Sequence, residues 1–284
     1  MFGRRSDGRK LKGADPYFKL IPLIMKRRSD SQVFYTQDIP LAPLDEYIAR
    51  KDVEGIKLSY MDIIFAAIVR LLAEKPTFNR FVVNGRIYAR NDISISLAIK
   101  KGMSETAEET ILKLHFKGTE NVFEIRDKLE NLIIENKNVS AENSTDRIAK
   151  ALAYIPHWLM KFAVNTLIFM DQKGILPKSV IEASPFHTSA FLTNVGSIGL
   201  DSIYHHIYDF GTTSIFLAMG KKKKSFIYED EAGLKEERSI SLSWVADERI
   251  CDGYNYATGI KTFYRYLRKP ELLENHAQPV KDLD

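Results

Sequence analysis

The sequence predicts one α/β domain in which a mixed β-sheet is covered by helices. Apolar residues recur at helical spacing in some segments and alternate with polar residues in others, and neither a Pro-rich linker nor an internal repeat divides the 284 residues. A chain of this length can bury a sizeable core. We therefore expect a single domain over residues 16–270, preceded by a basic, flexible arm at 1–15 and followed by a tail at 271–284.

The N-terminal half of this domain alternates helices and strands. Apolar and basic residues at near-helical spacing predict a first helix within Pro16 to Arg28, followed by a strand at Val33 to Ile39 and a short helix at Leu44 to Arg50. Ser59, with Asp62 three residues later, is typical of a helix start. The helix that follows is apolar on most of its faces, so we expect it to be buried.

The remaining elements are marked by a turn signal and by periodicity. Asn84-Gly85 stands between two apolar runs and predicts a tight hairpin turn. Val122 to Asn136 has the spacing of an amphipathic helix. The other predicted elements, in chain order, are strands at 92–99 and 110–116, a helical region broken by Pro156 that ends near Met170, strands at 189–193, 214–219, 225–228 and 240–245, and a final helix with Tyr256, Ile260, Phe263 and Leu267 on one face.

Charge and cysteine content limit the partners of the chain. The net charge is +4, from 41 Lys plus Arg against 37 Asp plus Glu, and no motif supports a nucleic-acid partner. A single cysteine, Cys251, excludes an intrachain disulfide and a Cys-rich metal site, which fits a reducing compartment. The adjacent His205 and His206 lack acidic or cysteine partners at metal-ligand spacing. We expect a cytoplasmic protein without a metal or a nucleic-acid partner, since no secretory signal is present.

A turn near the C-terminus carries the most informative motif. The segment from Ser241 to Leu267 runs from a strand through a sharp turn into a helix, with Asp252-Gly253 at the junction. Residues 247–253, DERICDG, resemble the DHRxxDG motif of the lipoamide acyltransferases of 2-oxo acid dehydrogenase complexes and the HxxxDG motif of the wider chloramphenicol acetyltransferase-like superfamily. The match fails only at the histidine, which Glu248 replaces.

Three other segments, in the right order, are similar to the same family. Residues 191–199, FLTNVGSIG, and 214–220, SIFLAMG, resemble its "FTISNLGSxG" and "AILGVG" pair. Residues 26–28 before 33–36, and 56–59 before Asp62, are similar to its opening helix and strand and to its "VKLSxxDF". The resemblance covers residues 16–270 and implies a chloramphenicol acetyltransferase-like sandwich of mixed sheet and helices.

The resemblance also implies a mechanism and a set of site residues. In the family a neutral imidazole takes the proton of a thiol or hydroxyl that attacks an acyl thioester, while a second hydroxyl stabilises the oxyanion. Glu248 would be a weaker base, with an ordinary pKa of about 4.3 unless burial raises it. Thr193 takes the oxyanion position, although threonine is also simply a good β-former. Asp252 would pair with Arg27 or Arg28, and Gly253 would admit the tight turn.

Cosubstrate and assembly follow from the resemblance too. Coenzyme A or an acyl-CoA is the implied cosubstrate, with the lysine cluster at Lys221, Lys222 and Lys223 placed near its phosphates. Relatives build each active site across a subunit boundary, which implies a homotrimer acting on a small acyl donor and acceptor. The sequence contains no lipoyl or peripheral-subunit-binding domain, and residues 101–106 depart from the "DGLVVPV" stretch that helps shape the substrate channel.

Several interpretations remain open on the sequence alone. Cys251 is either a nucleophile or a small buried side chain, and His187, His205 and His206 are either substitute bases or ordinary histidines. The longest apolar stretch, Ala151 to Met170, is a poor membrane span, and its part from Tyr154 to Met170 covers a pocket, packs on a neighbouring subunit or touches a membrane surface. The chain as a whole is either an active acyltransferase or a non-catalytic relative that serves as a trimeric binding or scaffold protein.

Overall fold

The computed structural model describes residues 5–100, 109–137, 154–229 and 233–283, so the departure at 101–106 lies outside the described residues. The strands are β1 (Gly8–Lys10), β2 (Gln32–Pro40), β3 (Arg80–Val83), β4 (Arg86–Arg90), β5 (Ile93–Lys100), β6 (Glu109–Phe116), β7 (Ala190–Asn194), β8 (Ile215–Glu229) and β9 (Gly233–Asp247). The helices are α1 (Pro16–Ile24), α2 (Ala42–Val53), α3 (Tyr60–Glu74), α4 (Val122–Lys137), α5 (His157–Lys173), α6 (Lys178–Ala183) and α7 (Gly253–Arg268).

The predicted mixed sheet is confirmed. Six strands form the main sheet in the order β2-β9-β8-β7-β5-β6, and a smaller sheet has the order β1-β4-β3. In the main sheet β7 runs parallel to both β5 and β8, while the other pairs are antiparallel. The two strands predicted at 214–219 and 225–228 are one long strand, β8, with an irregularity between Met219 and Lys222.

Helix α3 is the centre of the hydrophobic core, as its apolar pattern predicts. Eleven of its fifteen residues are buried, and Ser59 and Asp62 cap its first turn reciprocally. The core joins α3 to one face of the main sheet, where Leu192, Leu217 and Trp244 lie on neighbouring strands. The indole of Trp244 packs edge-on against Phe263 of α7, with ring centroids 4.8 Å apart. Helix α7 is thereby fixed on the sheet.

The opposite face of the main sheet, called the second face below, carries a different lining. Phe191, Phe216 and Val245 form a small apolar cluster there with Ile207, which belongs to the segment following β7. A row of hydroxyls continues along this face, in which Ser243 lies 2.8 Å from Thr36 and donates to Ser202 at 2.7 Å. Part of the 199–211 segment therefore covers this face of the sheet.

The described part of the N-terminal arm is docked, so the prediction of a flexible arm is wrong for residues 5–10. Arg5 is buried and donates to both carboxylate oxygens of Asp7, at 2.8 and 2.9 Å, and to Asp171 of α5 at 2.7 Å. Strand β1 pairs with β4. The arm is ordered because the positive charge of Arg5 is neutralised by these two acids.

The C-terminal tail is docked as well. Asp282 forms a two-point ion pair with Arg80, at 2.7 and 2.6 Å, and the Val280 amide donates to the carbonyl of Ala73 at 2.8 Å. Among the described residues no helix combines the length and apolar character needed to cross a membrane.

Candidate functional site

The turn that joins β9 to α7 is held by two aspartates with different partners. The carboxylate of Asp247, the last residue of β9, accepts a hydrogen bond from the Arg249 amide at 3.1 Å. A 3₁₀ turn spans Glu248–Ile250, and Asp252 is the N-cap of α7, accepting from the Asn255 amide at 2.8 Å. These two local caps define the shape of the 247–253 turn.

Asp247, rather than Asp252, is the partner of the N-terminal arginine. Arg249 donates to both Asp247 oxygens, at 2.8 and 2.7 Å, and the Arg28 guanidinium lies 3.5 Å from the same carboxylate. Burial lowers the pKa of Arg28, an effect that the Asp247 carboxylate opposes. Arg28 also donates to the carbonyls of Gly211 and Val82, each at 2.9 Å.

The predicted pairing of Asp252 with Arg27 or Arg28 is therefore wrong. Arg27 lies 3.1 Å from Asp209, and the Asp252 carboxylate is bonded to Asn255. The hydrogen bond from the Asn255 amide is the main cause of a lowered pKa of Asp252. The physical reason is position: Asp252 follows the extended Cys251 and lies over the first turn of α7, where its oxygens satisfy otherwise free amides.

Gly253 also differs from the prediction. Its φ is not positive, and a Cβ placed on it would meet nothing within 4 Å. The turn itself does not need a glycine here, because the backbone conformation is open to any L-residue.

Glu248 projects from the turn and is exposed to solvent. Its backbone is held on both sides by the buried Asp247 and Arg249. Burial within a single chain therefore does not desolvate its carboxylate, and such desolvation is what strengthens a carboxylate as a base.

Thr193 lies on the second face of the sheet, near the end of β7. It is in register with Ala218 of β8, which is in register with Ser243 of β9. Ser243 precedes Glu248 by five residues, a distance of roughly 16 Å along a strand. Thr193 and Glu248 of one chain therefore do not reach a common acyl group.

The lysine cluster is divided between the two faces of the sheet. Lys222 lies opposite the buried Ile240 and places its ammonium 4.4 Å from the ring centroid of Tyr60, on the helix side. Lys223 lies 3.4 Å from Asp201, on the second face, and the Lys221 amide donates to Leu200 in the same segment. The three predicted phosphate ligands do not form one site, because successive side chains on a strand point in opposite directions.

The histidines differ in their surroundings. His187 is buried, with Nδ1 2.8 Å from the Ser184 hydroxyl and Nε2 3.2 Å from an Asp171 oxygen. His205 stacks on Phe216 of the second face at 4.5 Å, and its buried Nε2 has no hydrogen-bond partner in the described part of the chain. Burial lowers the pKa of both imidazoles, whereas His206 is exposed. His205 is thus the neutral histidine on the face that carries Thr193.

Cys251 is buried beneath the turn. Burial is the main cause that raises the pKa of its thiol to about 12. The thiol stays protonated at neutral pH and is a poor nucleophile. The structure therefore favours the interpretation of Cys251 as a small core side chain.

Tyr256 is a residue that the sequence patterns did not single out as part of the site. It stacks on Phe78 at 5.9 Å, and its buried hydroxyl has no partner among the described residues. Burial raises the pKa of this phenol, so it remains a hydrogen-bond donor. The only sequence signal was its place on the apolar face of the final helix, which predicts packing rather than a free hydroxyl.

The segment that carries this turn and the fold as a whole are each similar to known proteins. Residues 182–274 match the family model described as 2-oxoacid dehydrogenases acyltransferase (catalytic domain). This match and the structures described next confirm the resemblance drawn from the motifs. No curated protein matches the chain.

Solved structures share the architecture at low sequence identity. The cubic core of the pyruvate dehydrogenase multienzyme complex superposes with a TM-score of 0.55 at 13% identity, covering 90% of this chain and 88% of that one. A probable dihydrolipoamide acetyltransferase from Listeria monocytogenes 4b F2365 gives 0.52 at 15% identity, covering 92% and 95%. A chloramphenicol acetyltransferase gives 0.54 at 12% identity, covering 92% and 98%.

Proposed function

We propose that the chain is an acyltransferase that moves an acyl group from a CoA thioester to a small thiol or hydroxyl acceptor. The observation that carries this proposal is the 247–253 turn, in which two buried arginines hold Asp247 and leave Glu248 facing solvent at the family's base position. The cluster fixes the backbone immediately before and after Glu248. The match of residues 182–274 to an acyltransferase catalytic domain supports the same conclusion.

In this mechanism the Glu248 carboxylate accepts the proton of the acceptor as the acceptor oxygen or sulfur attacks the thioester carbonyl. The Thr193 hydroxyl donates a hydrogen bond to the oxyanion that forms. The intermediate collapses to the acylated acceptor and CoA thiolate, which recovers the proton from Glu248. Lys223, whose ammonium lies near Asp201 on the second face, and Lys221 are the cluster's remaining candidates for the CoA phosphates, and Lys222 is not.

The mechanism requires a second subunit, because Thr193 and Glu248 of one chain are too far apart. Helix α1 exposes Tyr17, Leu20, Leu23 and Ile24, and Arg249 of the turn donates to the carbonyl of Met25 just beyond this helix at 3.0 Å. An apolar surface beside the base is suited to bury against another copy. We propose a homotrimer in which Glu248 of one subunit meets Thr193 of the next, and in which contact desolvates Glu248.

Thiol release from a panel of acyl-CoAs tests the proposal. Glu248→Gln lowers turnover a hundredfold or more, the usual contribution of a general base, and Glu248→His preserves or raises it. Glu46→Gln, which changes an exposed glutamate on α2, serves as the matched control and leaves turnover unchanged. Equal turnover of the wild type and the Gln variant removes Glu248 from the mechanism and leaves His205 as the next candidate base.

The second candidate is a non-catalytic relative that binds a ligand or organises partners. The replacement of the family histidine by Glu248 favours it. In that case no acyl-CoA yields free thiol. Acetyl-CoA still raises the melting temperature if the chain binds it, since a ligand that prefers the folded state stabilises that state.

Assembly is tested separately. Sedimentation of the wild type at micromolar concentration gives a trimer. Leu20→Asp, on the exposed side of α1, weakens the association of the subunits into that trimer. A wild type that sediments only as a monomer contradicts both the assembly and the shared site.

A further inference from the structure

Helix α5 is an anomaly of the fold, because almost none of it is buried. Asp171 is its only buried residue, although the helix is seventeen residues long and rich in apolar side chains. It begins directly after Pro156 and ends before Gly174, whose φ of 68° is typical of a helix C-terminus.

The apolar residues of α5 form two separate sides. Trp158, Phe162 and Phe169 are spaced by four and seven residues, so they lie on one side of the helix, and they are 72%, 66% and 56% exposed. The other side is partly buried and carries Leu159, Met160, Ala163, Leu167 and Met170. The aromatic row therefore points away from the surfaces that the described chain offers it.

Three cavities of the described chain, of about 220, 300 and 370 Å³, are lined by elements other than α5. The three aromatic side chains together expose on the order of 450 Å². A standard protein interface buries about 800 Å² on each partner, so the row alone is too small for a stable contact with a second protein. Binding to a lipid surface depends instead on the apolar area that is buried together with the attraction of basic residues to anionic lipids.

The exposed charges of α5 favour an anionic lipid surface. Asp171, the only acidic residue of α5, is buried against Arg5, so the exposed charges of the helix are those of Lys161 and Lys173. Lys173 lies 5.5 Å from the ring centroid of Phe169, placing an ammonium at the edge of the aromatic row. An aromatic row flanked by lysines matches the headgroup region of an anionic membrane, as on the cytoplasmic leaflet.

We propose that α5 lies on an anionic membrane surface, with Trp158, Phe162 and Phe169 in the headgroup region and Lys161 and Lys173 against lipid phosphates. The Arg5–Asp171 ion pair holds the helix to the domain in this orientation. Because the helix is too short and too polar to cross a bilayer, the contact is peripheral and reversible.

Vesicle binding of the full chain tests this proposal independently of catalysis. The protein co-sediments with vesicles of phosphatidylcholine mixed with phosphatidylglycerol and much less with phosphatidylcholine alone, and added salt weakens the binding. Trp158 and the buried Trp244 are the only tryptophans, so a blue shift of the fluorescence on binding reports Trp158. Replacing Trp244 with Phe leaves that shift in place.

Variants separate the aromatic and the charge contributions. The triple change Trp158→Ser, Phe162→Ser and Phe169→Ser lowers partitioning at least tenfold, while Phe226→Ser, which removes an exposed aromatic from β8, does not. Lys161→Gln and Lys173→Gln each lower binding to the anionic vesicles about fivefold.

Three results would overturn the proposal. The first is that the wild type fails to bind anionic vesicles at low salt. The second is that the triple variant binds them as well as the wild type does. The third is that the triple variant sediments as a smaller assembly than the wild type while the wild type does not bind vesicles. The last result would assign the row to a contact between copies of the chain.

Discussion

Replacing Asp247 with Asn tests whether the buried ion cluster holds the 247–253 turn. The side chains of Asp247, Arg28 and Arg249 are 0%, 3% and 3% exposed, so water does not screen their charges. The change leaves two guanidiniums beside a neutral amide. Removing one partner of a buried ion pair costs about 3–5 kcal/mol, and we expect the lower end because the amide oxygen still accepts one hydrogen bond from Arg249.

The assay is urea unfolding at fixed protein concentration, followed by the fluorescence of the buried Trp244. Asp127→Asn on α4, where the carboxylate pairs with the adjacent Arg126 at the surface, is the matched control and changes stability by less than about 1 kcal/mol. Adding Arg249→Met to the Asp247 variant removes one uncompensated charge and restores part of the loss. A cost for Asp247→Asn no larger than that of the control would refute the argument.

Three further predictions follow from single residues. Asp252→Ala lowers the unfolding free energy by about 1 kcal/mol, the value of an N-cap, and Asp252→Asn retains most of it; a loss of several kcal/mol by denaturation would instead indicate a buried ion pair. The lowered pKa of His187 means that the unfolded chain binds a proton first, so stability is full above about pH 6.5 and falls as the pH decreases below it. His187→Gln makes the loss of stability below pH 6.5 less steep in melting curves, although the lowered pKa of His205 still contributes, and an unchanged slope would contradict the assignment. Gly196→Ala strongly destabilises, because its Cβ would lie 2.3 Å from the carbonyl oxygen of Gly220, and wild-type stability of this variant would show that the turn after β7 does not approach β8 so closely.

Local patterns in the sequence predict most of the secondary structure. Asn84-Gly85 forms the expected turn with φ values of 48° and 68°, and the Ser59 and Asp62 cap begins α3 as its spacing indicates. Both features depend on residues within four positions of each other, so the local sequence is sufficient to predict them. The lysines at 221–224 interrupt the apolar alternation, which is why β8 was predicted as two strands.

Contacts between distant residues account for what the sequence does not predict. Arg5 docks on Asp171, 166 positions away, and no periodicity in a basic arm indicates such a partner. The two aspartates of the 247–253 turn are equally plausible partners for Arg28 on sequence, and only the direction in which each side chain leaves the backbone separates them. The position of Thr193 relative to Glu248 depends on sheet register, which the motifs do not contain.

The glycines of the motifs divide into two kinds, and Gly253 is the informative one. Gly196 is required by the close approach of its own backbone to that of Gly220, but Gly253 has an ordinary φ and open space where a Cβ would lie. The fold does not require a glycine at this first position of α7, in the same turn as Glu248, and we expect a ligand or a neighbouring subunit to occupy the open space. Gly253→Ala should therefore raise the stability of the isolated chain by about 0.4–1 kcal/mol through reduced unfolded-state entropy. The same change should lower acyl-CoA turnover or trimer stability, because the added methyl group enters the space that the substrate or partner needs. Unfolding, sedimentation and thiol-release measurements on one preparation separate these effects, and a variant that is more stable and fully active as a trimer would show that this side of the turn faces only water.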